Sequence, residues 1–486
     1  MFSEAAVAAL GRRDARSSQQ ILQSVKDELN GSRRERADSR QMGDLVTLCG
    51  GEGHSRWTPW GAGRKAGSPG KRNIQGAEEP RAWAAQPAGP TCRPRRHLVF
   101  LKTHKCGSST LQSVFLRYAA ANNLSVALPY SGVYLDAAGS GQSFRVKELK
   151  ESPFAPPSGK YHLLVHHTRL NVRAMQQVTY NDSVWVTVLR EPSAVFESMF
   201  HYYHLHKFFG ATFDHLVWKL GAHDGVKMWL KNANTRYQGR LGRNQMSFDL
   251  GLDDLDTHMD TVLRDAIKIL DDTFHLVMIA ERMDESLVLL KHLLCWGDED
   301  VMAMAHNVRK DLYRSYLSEQ TVATLEHFNA ADVKLYSYFK EKFDKHVEAF
   351  GRGRMEGEVA NLRAKRDKMW KQCGLRESRS SSSKHRQTSA KDHHVVAYQM
   401  HVNGSSSRQR KYCQDLIRPT PELTQMLRWK QYARYHQRGA RSALNLSWSQ
   451  TFKRKKIKRK TRKGVALPVR RIHRSDRRTA NRHRPQ

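Results

Sequence analysis

The segment His97-Leu-Val-Phe-Leu-Lys-Thr-His-Lys-Cys-Gly-Ser-Ser-Thr110 restricts what this chain can fold into more than any other. A short apolar run ends in a lysine-bearing turn of small residues, and Leu111, Val114, Phe115 and Tyr118 follow at helical spacing. That order is strand, loop, helix. Backbone N–H groups at a helix N-terminus, with a lysine beside them, hold anions. A nucleotide-triphosphatase loop places its lysine after the last glycine. Here Lys105 precedes Gly107, and Ser108-Ser109-Thr110 opens the helix, so residue order excludes that reading.

Short apolar and β-branched runs at His97–Leu101, Tyr161–Val165, Val184–Leu189 and Phe274–Ile279 read as buried strands. Helical patterns lie between and after them: Val195, Phe196, Met199, Phe200 and Tyr203 on one face, a densely apolar Ser286–Trp296, and a long amphipathic stretch from Ser318 to Phe350. Alternating strands and helices predict an α/β fold with a parallel sheet. Its ligands belong at the carboxyl ends of the strands, where Lys102–Gly107 must lie. No internal repeat is evident.

Composition sets the frame around this core. The chain has 486 residues and a formal net charge of +35, and its mean hydropathy is −0.68. One globular body with polar ends fits these values. Residues 1–95 read as low-complexity and disordered, with one short helical pattern at Ile21–Leu29. Residues 96–350 form the core, and 351–435 continue it around a Ser-rich insert at Glu377–Ser389. Residues 436–486 are a basic, disordered tail. From Thr451 to Gln486 there are 16 Lys or Arg against the single acid Asp476, a composition that suits polyanions, anionic membrane surfaces or phosphorylated ligands. No run approaches the roughly 18 apolar residues that span a bilayer, and the N-terminus makes a poor signal peptide. The six cysteines form no C-x-x-C pair, which argues against a zinc ribbon or redox motif. Cys373 and Cys413 flank the insert and are candidates to pair in an oxidising compartment. Sequons stand at Asn30, Asn123, Asn181, Asn403 and Asn445.

The second informative segment is Val184-Trp-Val-Thr-Val-Leu-Arg-Glu-Pro-Ser-Ala-Val-Phe-Glu-Ser-Met-Phe200. A strand delivers Arg190 at its end, Pro192 opens a helix, and Ser198 follows eight residues after Arg190. A guanidinium fork with a hydroxyl donor suits a second phosphate. Two anion-binding devices on two strand ends predict a ligand with two separated phosphate groups.

These segments resemble the two-part nucleotide site of sulfotransferases that use 3′-phosphoadenosine 5′-phosphosulfate (PAPS), and the wording is most similar to the galactose-3-O-sulfotransferases. The matching stretches are Phe100–Thr110, Val165-His-His-Thr-Arg-Leu-Asn171, Leu189–Ser198, Arg243-Asn-Gln-Met-Ser-Phe-Asp-Leu-Gly251 and Glu281-Arg-Met-Asp-Glu-Ser-Leu-Val-Leu-Leu290. They run from about residue 96 to 350, with a weaker echo at Cys413–Lys430. The resemblance implies transfer of a sulfonate group from PAPS to the 3-hydroxyl of a terminal β-galactose on a glycolipid or glycoprotein, with no metal.

It further implies that Lys105 stabilises the leaving phosphate, with Lys102 as a supporting cation. Thr103, Cys106, Gly107, Ser108, Ser109 and Thr110 would complete the 5′-phosphosulfate loop, and Arg190 and Ser198 would take the 3′-phosphate. For the base, His167 is slightly favoured over His166, because only one of two successive residues past a strand faces the site; His104 competes with both. A histidine with a pKa of about 6.5 accepts a proton near neutrality. Arg169, Asn171 and Asn244 are candidates to position the acceptor. Cys106 stands where relatives carry Thr or another small residue, and an exposed thiol there would be redox-sensitive.

The resemblance also implies a Golgi membrane protein facing the lumen, although the first 95 residues show no anchor helix. Two other readings stay open. A nucleic-acid-binding protein would use the tail around Lys453-Arg-Lys-Lys-Ile-Lys-Arg-Lys460, and a catalytically inactive sulfotransferase-like protein would keep the fold alone. Nucleic acid leaves the loop, Arg190 and Ser198 unexplained.

Overall fold

A computed structural model of the chain describes residues 92–436, apart from 136–141, 151, 233–241, 254, 256–258, 307–308, 310–313, 378–395, 397 and 402–405. The expectations for Ile21–Leu29, for most of the Ser-rich insert, for the basic tail and for the sequons at Asn30, Asn403 and Asn445 lie outside the described residues.

Four parallel strands form the central sheet: β1 (Leu98–Leu101), β2 (Leu163–Leu164), β3 (Val184–Leu189) and β4 (Leu276–Ile279), in the order β2-β1-β3-β4. Every residue in them is buried. Helices cover both faces of a parallel sheet, so its strands read as continuous apolar runs rather than alternating ones. The register pairs Leu98 with Val184 and Leu101 with Thr187, then Val186 with Leu276 and Leu189 with Ile279. Chain order leaves β1 toward β2 on one side and toward β3 on the other. The carboxyl ends of β1 and β3 therefore form the switch point where such sheets open a crevice.

Two helices begin there. Helix α1 (Ser108–Ala121) follows β1 and is buried along most of its length. Helix α2 (Pro192–Tyr202) follows β3, with Pro192 in its first turn and the Glu191 carboxylate accepting the N–H groups of Ser193 and Ala194. The Ser318–Phe350 stretch is two helices rather than one, α3 (Glu319–Phe328) and α4 (Ala330–Phe350). The break falls at the buried Asn329. Its Nδ2 donates to Leu325 O at 2.8 Å while its Oδ1 accepts from Asn244 N at 2.8 Å, so the side chain serves two segments and replaces helical continuity.

The C-terminal helix α5 (Thr420–Tyr435) packs on α1 and belongs to the core. Its Gln431 pairs with both backbone groups of Val126, and Arg428 donates to the carbonyls of Pro129 and Gly132. Two disulfides, Cys92–Cys295 and Cys373–Cys413, tie the periphery, with Cα–Cα distances of 5.7 and 5.5 Å. The second supports a small antiparallel pair, β5 (Leu375–Glu377) with β6 (Tyr398–Met400). Glu377 thus ends a strand instead of opening the insert. Among the described residues, no helix is long and apolar enough to cross a membrane.

Candidate active site

The loop after β1 is bent by two left-handed residues, Lys105 (φ 60°) and Gly107 (φ 72°). A left-handed conformation costs a residue with a Cβ about 1–2 kcal/mol, and it places Lys105 against the opening of α1. At Gly107 a Cβ would also come within 3.2 Å of Met283 Cε, so glycine suits this position on two counts. Thr103 Oγ1 donates to Val188 O at 2.6 Å and Arg190 Nη1 donates to Lys105 O at 3.0 Å, which sews the loop across the switch point to β3.

The cations are concentrated here. Lys102 is buried and donates to Ser108 Oγ (3.0 Å) and Ser109 Oγ (3.1 Å). Lys105 Nζ lies 3.8 Å from the centroid of the Tyr202 ring, one helical turn beyond Ser198 on α2. Burial, together with the charge of Lys105, pushes Lys102 down to about 7; burial, together with Arg190 and Arg309, does the same to Lys105. The carboxylates nearest them are already engaged, Asp249 with His104 and Glu197 with Arg309. Four cations facing two committed carboxylates leave net positive charge in a partly dehydrated crevice. A phosphate-bearing ligand relieves that imbalance, so the residues present fit a doubly anionic nucleotide.

The remaining loop groups divide their work. Ser108 Oγ donates to Thr103 O at 2.5 Å, and Thr110 Oγ1 accepts the N–H of His306. Thr110 N donates to Gly107 O at 3.0 Å, and the two N–H groups before it, at the start of α1, lie outside the helical hydrogen-bond pattern. Cys106 is fully buried with its Sγ on His104 O, and burial pushes its thiol pKa up. The expectation of an exposed, redox-sensitive thiol is corrected on that ground: the side chain is enclosed and stays protonated.

The three histidines part company. His104 is buried; its Nδ1 lies 2.8 and 2.9 Å from the two oxygens of Asp249, and its backbone N–H donates to the same carboxylate at 2.7 Å. Asp249 also accepts from Gln245 Nε2. An ionised carboxylate only accepts, so Nδ1 carries a proton, and in the neutral ring the lone pair is on Nε2; Nε2 meets the Tyr134 hydroxyl at 3.1 Å. His167 stacks on His104 with centroids 4.3 Å apart, and its Nδ1 meets Lys102 O at 3.0 Å. Burial, with Lys102 nearby, holds His167 well below the usual imidazole range, so it is neutral. His166 points the other way. It is fully buried, with Nε2 on Thr424 Oγ1 of α5, and burial followed by Arg428 lowers it to about 3.

Arg169, Asn171 and Asn244 all hold loops in place. Arg169 donates to Phe248 O, Leu252 O and Asp253 Oδ1. Asn171 caps the Val172–Gln176 helix through Ala174 N and donates to Phe144 O. Asn244 is buried in a left-handed conformation between Asn329 and Asp332. Through these bonds Arg169 and Asn244 fix the short Gln245–Asp249 helix, whose last residue is the histidine's partner.

Arg190, at the end of β3, touches the loop through Lys105 O, and Ser198 lies on α2 one turn before the Tyr202 ring under Lys105. Sequence reasoning passed over Asp249, Tyr134, Glu197 and Arg309. Asp249 had a signal, since it stands in the Arg243–Gly251 stretch from which Asn244 was chosen. Tyr134 had none, because only a bridge to His167 brings it to the loop.

Comparison with known proteins agrees with this geometry. The sequence model of the galactose-3-O-sulfotransferase family matches residues 71–431. The chain is 35% identical over 287 residues to human (Homo sapiens) galactosylceramide sulfotransferase, covering 58% of this chain and 65% of that protein. It is 33% identical over 298 residues to the mouse (Mus musculus) enzyme of the same name, covering 60% of this chain and 67% of that protein. Against pig (Sus scrofa) galactose-3-O-sulfotransferase 2 the identity is 29% over 360 residues, 71% of this chain and 86% of that protein. With an α/β core, an anion-holding loop at the switch point and a family match over most of its length, the chain belongs to the galactose-3-O-sulfotransferase family.

Proposed function

We propose that this protein transfers a sulfonate group from PAPS to the 3-hydroxyl of a terminal β-galactose on a glycolipid or glycan. The observation that carries the reading is the crowding of Lys102, Lys105, Arg190 and Arg309 at the switch point, with His104 of the buried His104–Asp249 pair between the two loop lysines in sequence. The relatives' names supply the acceptor class, galactose or galactosylceramide.

When bound, PAPS supplies an electrophilic sulfur and a phosphate leaving group. Lys105, with Lys102 beside it, places positive charge where the departing phosphate oxygen gains negative charge, and charge aimed at a developing oxyanion is among the largest catalytic contributions. Arg190 and Ser198 hold the 3′-phosphate, and the opening N–H groups of α1 hold the 5′-phosphate. His104 is the base in this reading: Asp249 fixes the Nδ1–H tautomer and stabilises the imidazolium that forms as a proton arrives at Nε2. His167 stacks on that ring and orients it. His166 joins the sheet to α5.

A Golgi-luminal setting belongs to the same reading. Two disulfides suit an oxidising compartment, and the sequon residues Asn123 and Asn181 are exposed. The basic tail takes no part in the chemistry proposed.

The test is transfer of radiolabelled sulfonate from PAPS to β-galactosides by the full chain produced through a secretory pathway. Wild type is expected to transfer, and Lys105→Ala to lose about 10²-fold or more in kcat, the loss typical of removing one oxyanion-stabilising group. A folded wild type that transfers nothing, or a Lys105→Ala variant with undiminished kcat, would overturn the reading.

A further inference from the structure

The lone pair of His104 Nε2, the atom that receives the acceptor's proton, meets the Tyr134 hydroxyl at 3.1 Å. With Nδ1–H committed to Asp249, the phenol is the donor in that bond. Tyr134 is also not a side chain that swings aside freely. Its backbone bridges His167 in parallel fashion, and Leu135 N donates to His167 O at 2.9 Å. Its ring stacks on His167 with centroids 5.2 Å apart. The chain just before it is clamped by Arg428 of α5, which donates to Pro129 O and Gly132 O at 2.9 and 2.8 Å. Tyr134 is half-buried, whereas His104 is enclosed, so of the two bonded side chains the phenol is the more accessible to a ligand.

We propose that Tyr134 is a catalytic residue that relays the acceptor's proton to His104. This inference rests on the sulfonate-transfer reading above and on His104 as its base. The galactose 3-hydroxyl donates to Tyr134 Oη. As the sugar oxygen forms its bond to sulfur, its proton passes to Oη and the phenol's own proton passes to His104 Nε2. The sulfur–oxygen bond to the phosphate breaks, and its electron pair leaves with the phosphate. Tyr134 ends as it began, a neutral phenol, and His104 becomes an imidazolium paired with Asp249. A relay also explains how a buried histidine serves a substrate as bulky as a sugar: the phenol spans the gap.

The experiment uses the full chain, PAPS and a β-galactoside in single-turnover mode. Tyr134→Phe keeps the ring and its stacking but removes the hydroxyl. Its transfer rate is expected to fall about 10²-fold, the lower end for loss of a proton-transfer group. Its affinity for adenosine 3′,5′-bisphosphate should stay within about threefold of wild type, and its acceptor KM should rise far less than its rate falls. The rate in H₂O/D₂O mixtures should bend for wild type, since two protons are in flight, and this measurement needs no variant to fold. An unchanged rate in Tyr134→Phe, a loss confined to KM, or a straight line with deuterium fraction for wild type overturns the relay and leaves the transferase reading standing. Absence of any transfer by wild type overturns both.

Discussion

At the scale of single residues, the site is governed by charge held without full compensation. Lys102 and Lys105 sit near 7 instead of 10.5 because burial removes water from both, and among the described residues the carboxylates acting on them, Asp249 and Glu197, are already paired. Their folded values lie below their unfolded ones. Between about pH 7 and 10.5 the unfolded chain therefore binds more protons, and these groups make the ligand-free protein more stable as pH rises through that window. A bisphosphate reverses the preference by favouring the charged amines. Binding of adenosine 3′,5′-bisphosphate should take up protons near pH 7.5 and tighten as pH falls from 9 to 6.5. Calorimetry in buffers of different ionisation enthalpy measures this directly; a pH-independent affinity would count against the lysines as its ligands. The strand-end positions of Lys105 and Arg190 were legible in the sequence because each follows a strand that announces itself. The surroundings of the three histidines were not. Alternation past a strand cannot tell which ring meets Asp249, a partner 145 positions away.

At the scale of elements, the four strands were legible to within a residue or two at β1, β3 and β4, since buried parallel strands are continuous apolar runs. The Tyr161–Val165 run shrank to Leu163–Leu164 because only these two residues pair with β1, while Tyr161 is held by an isolated bridge to Thr179. The helices that position chemistry were harder to read. Gln245–Asp249 is only five residues long and stands through bonds to distant groups: Asp332 accepts from Met246 N, Ser247 N and Ser247 Oγ at 3.0, 2.8 and 2.6 Å. Burial raises the Asp332 carboxyl to about 6 despite these donors, so the bonds hold a costly charge in place. Asp332→Ala leaves three buried donors unmet, and each unsatisfied donor costs about 1–3 kcal/mol. Relief of the buried charge offsets part of that, so denaturant unfolding should show a net loss of about 2–4 kcal/mol. Transfer should fall with it, since Asp249 loses its support, whereas adenosine 3′,5′-bisphosphate binding should persist.

At the scale of the whole molecule, the C-terminal region completes the site rather than trailing from it. Helix α5 holds the 126–132 segment through Gln431 and Arg428 and meets His166 through Thr424. The Cys373–Cys413 bond anchors the approach to it by closing a 40-residue interval. Replacing both cysteines with Ala should lower stability by about 2–4 kcal/mol, read as a drop in melting temperature; no drop would mean the bond does not constrain the unfolded chain. The sequence alone suggested this pairing but said nothing of Cys92 with Cys295, which lie 203 positions apart. The proposed reaction joins a nucleotide crevice, a base and a sugar hydroxyl, and one assay addresses all three. Purified full chain is incubated with radiolabelled PAPS and, side by side, a β-galactoside and its 3-deoxy analogue. Labelled product is expected from the galactoside and none from the analogue; labelling of both at similar rates, or of neither by a folded protein, would contradict the proposed reaction.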